Sequence, residues 1–286
     1  MITIGLTTWT DHPALIKEPR DVLLDEYAAR FPTVEVDSAF YGIPKASTVH
    51  QWQALVPAQF QFIIKAHREM TLHPAVDRQA APISDEARRQ IFQTYLEMLQ
   101  PLIAANQLKT VLFQFPPYFQ ANTENFTYLR RVRALLPAVP IAVEFRNATW
   151  FDPIILQSLT GYLKELKMTL VAADEAQTAA GSVPFQLAVT NPDLVMLRLH
   201  GRNMTGWNQP GKEWRKKRTL YRYSDEELTQ FSQVIDGVKS QVREVCVIFN
   251  NNSGKDAAPN ALRLQEMLHV SFAGLAKRPP EQMDLF

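Results

Sequence analysis

One cysteine in 286 residues cannot close an internal disulfide, and Cys246 lies in the apolar run VCVIF, where it reads as a small core side chain. No run approaches the ~18 consecutive apolar residues of a membrane helix, and the opening MITIGLTTWT lacks the basic-then-apolar order of a secretory signal. A soluble cytoplasmic protein with no membrane partner is therefore expected. Charge of one sign is not in excess either: 30 basic against 29 acidic residues leave +1, so no global field recruits polyanions and any basic site is local. The stretch GLTTWTDHP is not a Gly-x-Gly-x-x-Gly phosphate loop, no His-x-x-x-His or paired-Cys spacing is present, and no serine nucleophile elbow appears. No cofactor is expected, while a divalent metal held by carboxylates stays open.

What is present is alternation. Short β-branched or aromatic runs occur at 2–8, 33–37, 61–66, 110–115, 141–145, 168–174, 194–200 and 244–250. Helical patterns separate most of them, at 20–31, 47–56, 84–106, 124–136, 152–166, 224–241 and 259–270. Ser84 and Ser224 stand where a side-chain oxygen would cap a helix start. Only the stretch EAQTAAGSVPFQLAVTNPD, where a sixth helix belongs, is poorly marked. Nearly continuous apolar strands covered by helices imply a parallel sheet, and eight such units imply a single-domain (β/α)8 TIM barrel over 1–275, followed by a tail at 276–286.

A TIM barrel keeps its chemistry at the carboxyl ends of the strands. There the sequence places Thr8 and Trp9, Glu35 and Asp37, Lys65 and His67, Gln114, Glu144 and Arg146, Asp174, Arg198 and His200, and Asn250 and Asn251. Residues two apart on a strand share a face, so several of these pairs present both side chains to one place. Packing alone explains such a habit poorly, because unpaired buried charge costs several kcal/mol, although individual members can serve as inter-strand salt bridges or caps. Lys65, Arg146, Arg198 and Arg202 suit a phosphate-bearing or other anionic ligand. His67 or His200 would act as acid or base, and Glu144 or Asp174 as base or metal ligand. Tyr41, Asn147, Asn250 and Asn251 complete the expected lining. His12, His50, His73 and His269 fall in expected loops or helices and are assigned surface or packing roles.

After the seventh strand, Arg202, Lys212, Arg215, Lys216, Lys217, Arg218 and Arg222 face one acid, Glu213, and are interleaved with Trp207, Trp214, Tyr221 and Tyr223. Basic groups for phosphates beside aromatic faces for unstacked bases fit single-stranded or damaged DNA; a lid over an anionic substrate would look similar.

The stretches FPTVEVDSAFYGIP, FIIKAHREMT, LFQFPP, AVEFRNATWF, LRLHGRN, YRYSDEEL and FNN with the later APNAL resemble the YecE-like family, also called domain of unknown function 72, over nearly the whole chain. The resemblance implies a TIM barrel distantly similar to the endonuclease IV and xylose isomerase-like barrels, without their His-rich metal cluster, and names no reaction. The closing QMDLF, with Gln282, Met283, Leu285 and Phe286 after Pro279 and Pro280, resembles the peptide that bacterial repair proteins insert into the sliding clamp. Together these features lead to an expectation of DNA binding or processing, with phosphodiester hydrolysis as the reaction, recruited by a clamp. A small-molecule isomerase, lyase or hydrolase acting on a phosphorylated or carboxylated sugar-like substrate is the alternative. A non-catalytic clamp and DNA adaptor is the third.

Overall fold

The computed structural model describes residues 1–74, 83–178, 182–208 and 217–277. Eight strands, β1 (Ile2–Thr7), β2 (Thr33–Val36), β3 (Gln61–Lys65), β4 (Leu108–Gln114), β5 (Ile141–Glu144), β6 (Met168–Glu175), β7 (Leu194–Gly201) and β8 (Glu244–Phe249), pair in parallel, and β8 returns to β1 to close the barrel. The helices among the described residues are α1 (Leu24–Ala28), α2 (Ala46–Ala54), α3 (Asp85–Ala104), α4 (Thr123–Leu135), α5 (Pro153–Glu165), α6 (Met204–Asn208), α7 (Asp225–Val238) and α8 (Ala257–Met267). Each turns an apolar stripe to the sheet: Phe92, Tyr95, Met98, Leu99 and Leu102 on α3, and Leu228, Phe231, Ile235 and Val238 on α7. Ser84 accepts from Ala87 N at 3.1 Å, and Ser224 forms a reciprocal capping box with Glu227, so both helices start where the sequence places their caps.

The described residues between β6 and β7 form no helix. Phe185, Leu187 and Val189 are instead half-buried, and Phe185 meets Phe231 of α7 at 5.7 Å. Thr190 Oγ1 ties this segment to β6, accepting from Leu170 N and donating to Met168 O, both at 2.8 Å. At the other end of the chain, Ala276 N donates to Ala28 O at 3.0 Å, so the start of the expected tail lies on α1.

Strand alternation divides the core into two layers. Outward residues join the helices in one large apolar cluster, while Ile63, Leu112, Ala142, Val171, Met196, Cys246 and Ile248 plug the barrel's interior. Above that plug, two residues further along the same strands, stand Lys65, Gln114, Glu144, Arg198 and Asn250. A cavity of about 840 Å³ opens at the opposite, amino-terminal end, and several of its polar groups are paired. Lys109 and Thr3 bond Glu244, and Arg133 donates to the carbonyls of Leu136, Pro137, Val139, Leu166 and Lys167. The polar residues expected at the site gather instead at the carboxyl end.

Candidate functional site

Arg198 is the hub of that end. Fully buried, it donates through Nε and Nη2 to both oxygens of Glu35, at 2.8 and 2.5 Å, and through Nη1 to Glu144. The other Glu144 oxygen accepts from Arg146 Nη1 at 3.0 Å and lies 3.2 Å from His200 Nε2. Arg146 continues to Glu175 at 2.7 Å, and Glu175 also accepts from Val183 N at 2.9 Å. Asn250 Nδ2 donates to His200 Nδ1 at 2.8 Å, which leaves the proton on Nε2, facing Glu144. Buried in this way, His200 is pushed down to about 3 and is a neutral donor at physiological pH. Burial opposes ionisation of Glu144, but Arg198 and its neighbours outweigh that cost and hold it well below the usual carboxylate range.

These contacts correct the expectation of cations converging on a free anion. Arg198 and Arg146 are clamped by carboxylates, Lys65 lies 3.4 Å from Asp37, and Arg202 grips Asp174 through Nε and Nη2, at 2.8–3.0 Å, and Glu227 through Nη1 at 3.0 Å. Lys65, Arg146 and Arg198 face the four carboxylates Glu35, Asp37, Glu144 and Glu175, so the inner mouth carries no surplus of positive charge. Glu144 and His200 are buried with their polar atoms engaged.

Glu35 is fully buried beneath Asp37, and burial, with Asp37 adding to it, outweighs Arg198 and drives its pKa up to about 7. Burial pushes Asp37 the same way, but Lys65 and Arg198 win and keep it below the usual range. The two carboxyls titrate as neighbours, Asp37 raising Glu35 and Glu35 shifting Asp37. Asp37 retains 27% of its side-chain exposure and Lys65 15%, so both are partly open at the mouth. Lys65 Nζ also sits 5.3 Å from the Phe40 ring centroid, with the 63% exposed Tyr41 on the rim beside it.

The neighbouring turn is strained. Thr8, a β-branched residue, has φ 59°, held by its own N–H on Glu35 O at 2.8 Å and by buried His12, whose Nε2 faces the carbonyls of Thr7 and Thr8 at 3.1 and 3.3 Å. His12, read from sequence as a surface or packing residue, thus pins the floor of the mouth.

The other expected site residues are placed as follows. His67 is half-buried at the end of β3 and accepts from Glu69 N at 3.4 Å; burial, then Arg68, lowers its pKa. Gln114 Oε1 lies 3.4 Å from Arg198 Nη1. Asp174 does not join the ring: strand alternation sends it to the helix side, onto Arg202 and Tyr223 Oη (2.7 Å), and the inward position belongs to Glu175. Asn147 caps Thr149 N at 3.0 Å and holds Pro117 O, and Asn251 holds Tyr221 O and Asn260, so both support loops. Tyr221 Oη donates to Glu227 at 2.7 Å. Trp207 lies between two guanidiniums, 5.5 Å from Arg146 and 4.6 Å from Arg218. Lys217 is exposed, and its carbonyl accepts from Asn203. Trp214, Arg215, Lys216, Gln282, Met283, Leu285 and Phe286 lie outside the described residues. Among the described residues, no three His, Cys, Asp or Glu side chains are grouped to hold a metal, and no helix is long and apolar enough to cross a membrane.

The chain has close relatives. UPF0759 protein YunF of Bacillus subtilis is 39% identical over 290 residues, covering 100% of both chains. A DUF72 family protein of known structure from Enterococcus faecalis superposes with a TM-score of 0.90 at 39% identity, over 99% of this chain and 100% of its own. Another, from Thermotoga maritima, does so with a TM-score of 0.78 at 27% identity, over 94% and 100%. Residues 3–284 match the family described as protein of unknown function DUF72, and the chain belongs to that family.

Proposed function

We propose that the barrel mouth catalyses proton transfer on a small, hydroxyl-rich, sugar-like molecule, as an isomerase or lyase. The observation that carries this reading is Asp37, partly open and 3.4 Å from Lys65, standing beside fully buried Glu35, whose pKa burial drives up to about 7; two such adjacent carboxyls share a proton near neutrality. A group that accepts a proton at pH 7 beside one that can return it is what acid–base catalysis requires. Asp37 takes the proton from carbon or oxygen of the substrate, Glu35 behind it sets the charge of the pair, and Lys65 stabilises the developing oxyanion. The test is deuterium incorporation, followed by NMR in D2O, across neutral, carboxylated and phosphorylated sugars. Exchange into one substrate, reduced about 100-fold or more by Asp37→Asn, supports the reading. Exchange that survives Asp37→Asn, or its absence across all three classes, overturns it.

A role on DNA is the second reading. What supports it is the charge of residues 202–222 and the peptide at 282–286. Phosphodiester hydrolysis has less support, because Arg146, Arg198 and Arg202 are held by carboxylates. Replacing Arg215, Lys216, Lys217 and Arg218 with Ala should lower affinity for single-stranded DNA and flatten its salt dependence, and deleting 282–286 should abolish binding to a bacterial sliding clamp. Intact behaviour in both experiments removes this reading.

A further inference from the structure

Arg146 is 5% exposed, yet its Nη2 has no hydrogen-bond partner. Trp207 Nε1, out of solvent on a half-buried side chain, has none. The two side chains are in contact, the guanidinium lying 5.5 Å from the indole centroid, so two orphan donors belong to neighbouring side chains, one after β5 and one on α6. A buried donor without an acceptor costs about 1–3 kcal/mol, and a fold does not collect two in one place without something that relieves the cost.

The surroundings select what can relieve it. Glu144 and Glu175 both contact Arg146, and Arg218 covers the indole 4.6 Å from its centroid, so two cations already balance two carboxylates. An added anion would meet those carboxylates in a medium of low polarity, whereas a neutral oxygen accepts both N–H groups and adds no charge. We therefore propose that Arg146 Nη2 and Trp207 Nε1 form a subsite for a hydroxyl or carbonyl oxygen of an uncharged, polyhydroxylated ligand. This deepens the acid–base reading and rests on it for the reaction: the proton moves at Asp37, and this subsite holds the far end of the same molecule.

Access requires α6 to lift, and its anchorage permits that. Gly201, at φ 90°, precedes the turn, and Asn203 both caps Gly206 N at 2.9 Å and reaches the carbonyls of Lys217 and Leu220. Gly206 is required by the fit, because a Cβ there would lie 2.3 Å from Lys217 O. Asn203 thus ties the start of α6 to the backbone of residues 217–220.

The test reads Trp207 directly, by indole ¹H–¹⁵N NMR, with Trp207→Phe assigning its resonance while keeping an aromatic ring. Erythritol, ribitol, sorbitol and inorganic phosphate are titrated separately. A saturable shift of the Trp207 signal with at least one polyol and none with phosphate is expected, and affinity for that polyol should fall about tenfold in Trp207→Phe, the loss of one hydrogen bond. A phosphate response equal to or larger than the polyol response overturns the neutral class, and silence with all four probes overturns the subsite. Repeating the titration in Asp37→Asn separates the two proposals: a retained shift without deuterium exchange in the wild type leaves the subsite standing while the acid–base reading falls.

Discussion

Arg198 and Glu35 stand 163 residues apart in the chain and meet through two parallel hydrogen bonds, of 2.8 and 2.5 Å, inside the closed barrel. The pair ties β7 to β2 across the interior, and Glu144 on β5 completes the clamp. Arg198→Met removes the cation and leaves Glu35 and Glu144 buried without it. Loss of one partner of a buried pair costs about 3–5 kcal/mol, so the variant should show a large drop in its urea unfolding midpoint. A change below about 1 kcal/mol, the size of a surface pair, would mean that the guanidinium is hydrated.

The pH dependence of stability follows from two opposed groups. Glu35 rises from 4.5 to about 7 on folding, so its contribution is present below 4.5 and is lost as pH climbs to 7. His200 falls from 6.5 to about 3, so its contribution is present above 6.5 and is lost as pH drops toward 3. Between 4.5 and 6.5 the slopes oppose, each reaching about 1.4 kcal/mol per pH unit. Relative to wild type, Glu35→Gln should gain stability with rising pH across that window, and His200→Asn should lose it. Urea unfolding at several pH values checks both signs.

Asn203→Ala cuts the ties from the start of α6 to the 217–220 backbone. Amide exchange should quicken at 204–208 and 217–220 while β7 keeps its protection, and thermal stability should drop by about 1 kcal/mol, the worth of a helix cap. Uniform exchange changes across the barrel would contradict a separately moving piece.

The fold was legible because strands buried on both faces alternate with helical patterns round the ring, with only one weak unit, whose described residues form no helix. The site was legible in outline, since Glu35, Asp37, Lys65, Glu144, Arg146, Arg198 and His200 do share the mouth. Who pairs with whom was not legible, because Arg198 reaches Glu35 across the barrel and no local spacing encodes that contact. Asp174 was placed in the ring because β6 was ended one residue early. The alternation Val171, Ala173, Glu175 contains the correct inward acid, and extending the strand by one residue would have found it. Asn203 and His12 act through backbone carbonyls, which leave no mark on composition.

The central claim is that Glu35 and Asp37 share a proton near neutrality. ¹³C-glutamate-labelled protein, with Glu35→Gln to assign the resonance, reports the Glu35 carboxyl directly as pH is varied. A midpoint near 7, moving down toward ordinary values in Asp37→Asn, is the predicted result. A midpoint at or below the 4.5 of an ordinary glutamate, unchanged in Asp37→Asn, would show Glu35 to be a plain salt-bridge partner of Arg198 and would contradict the account.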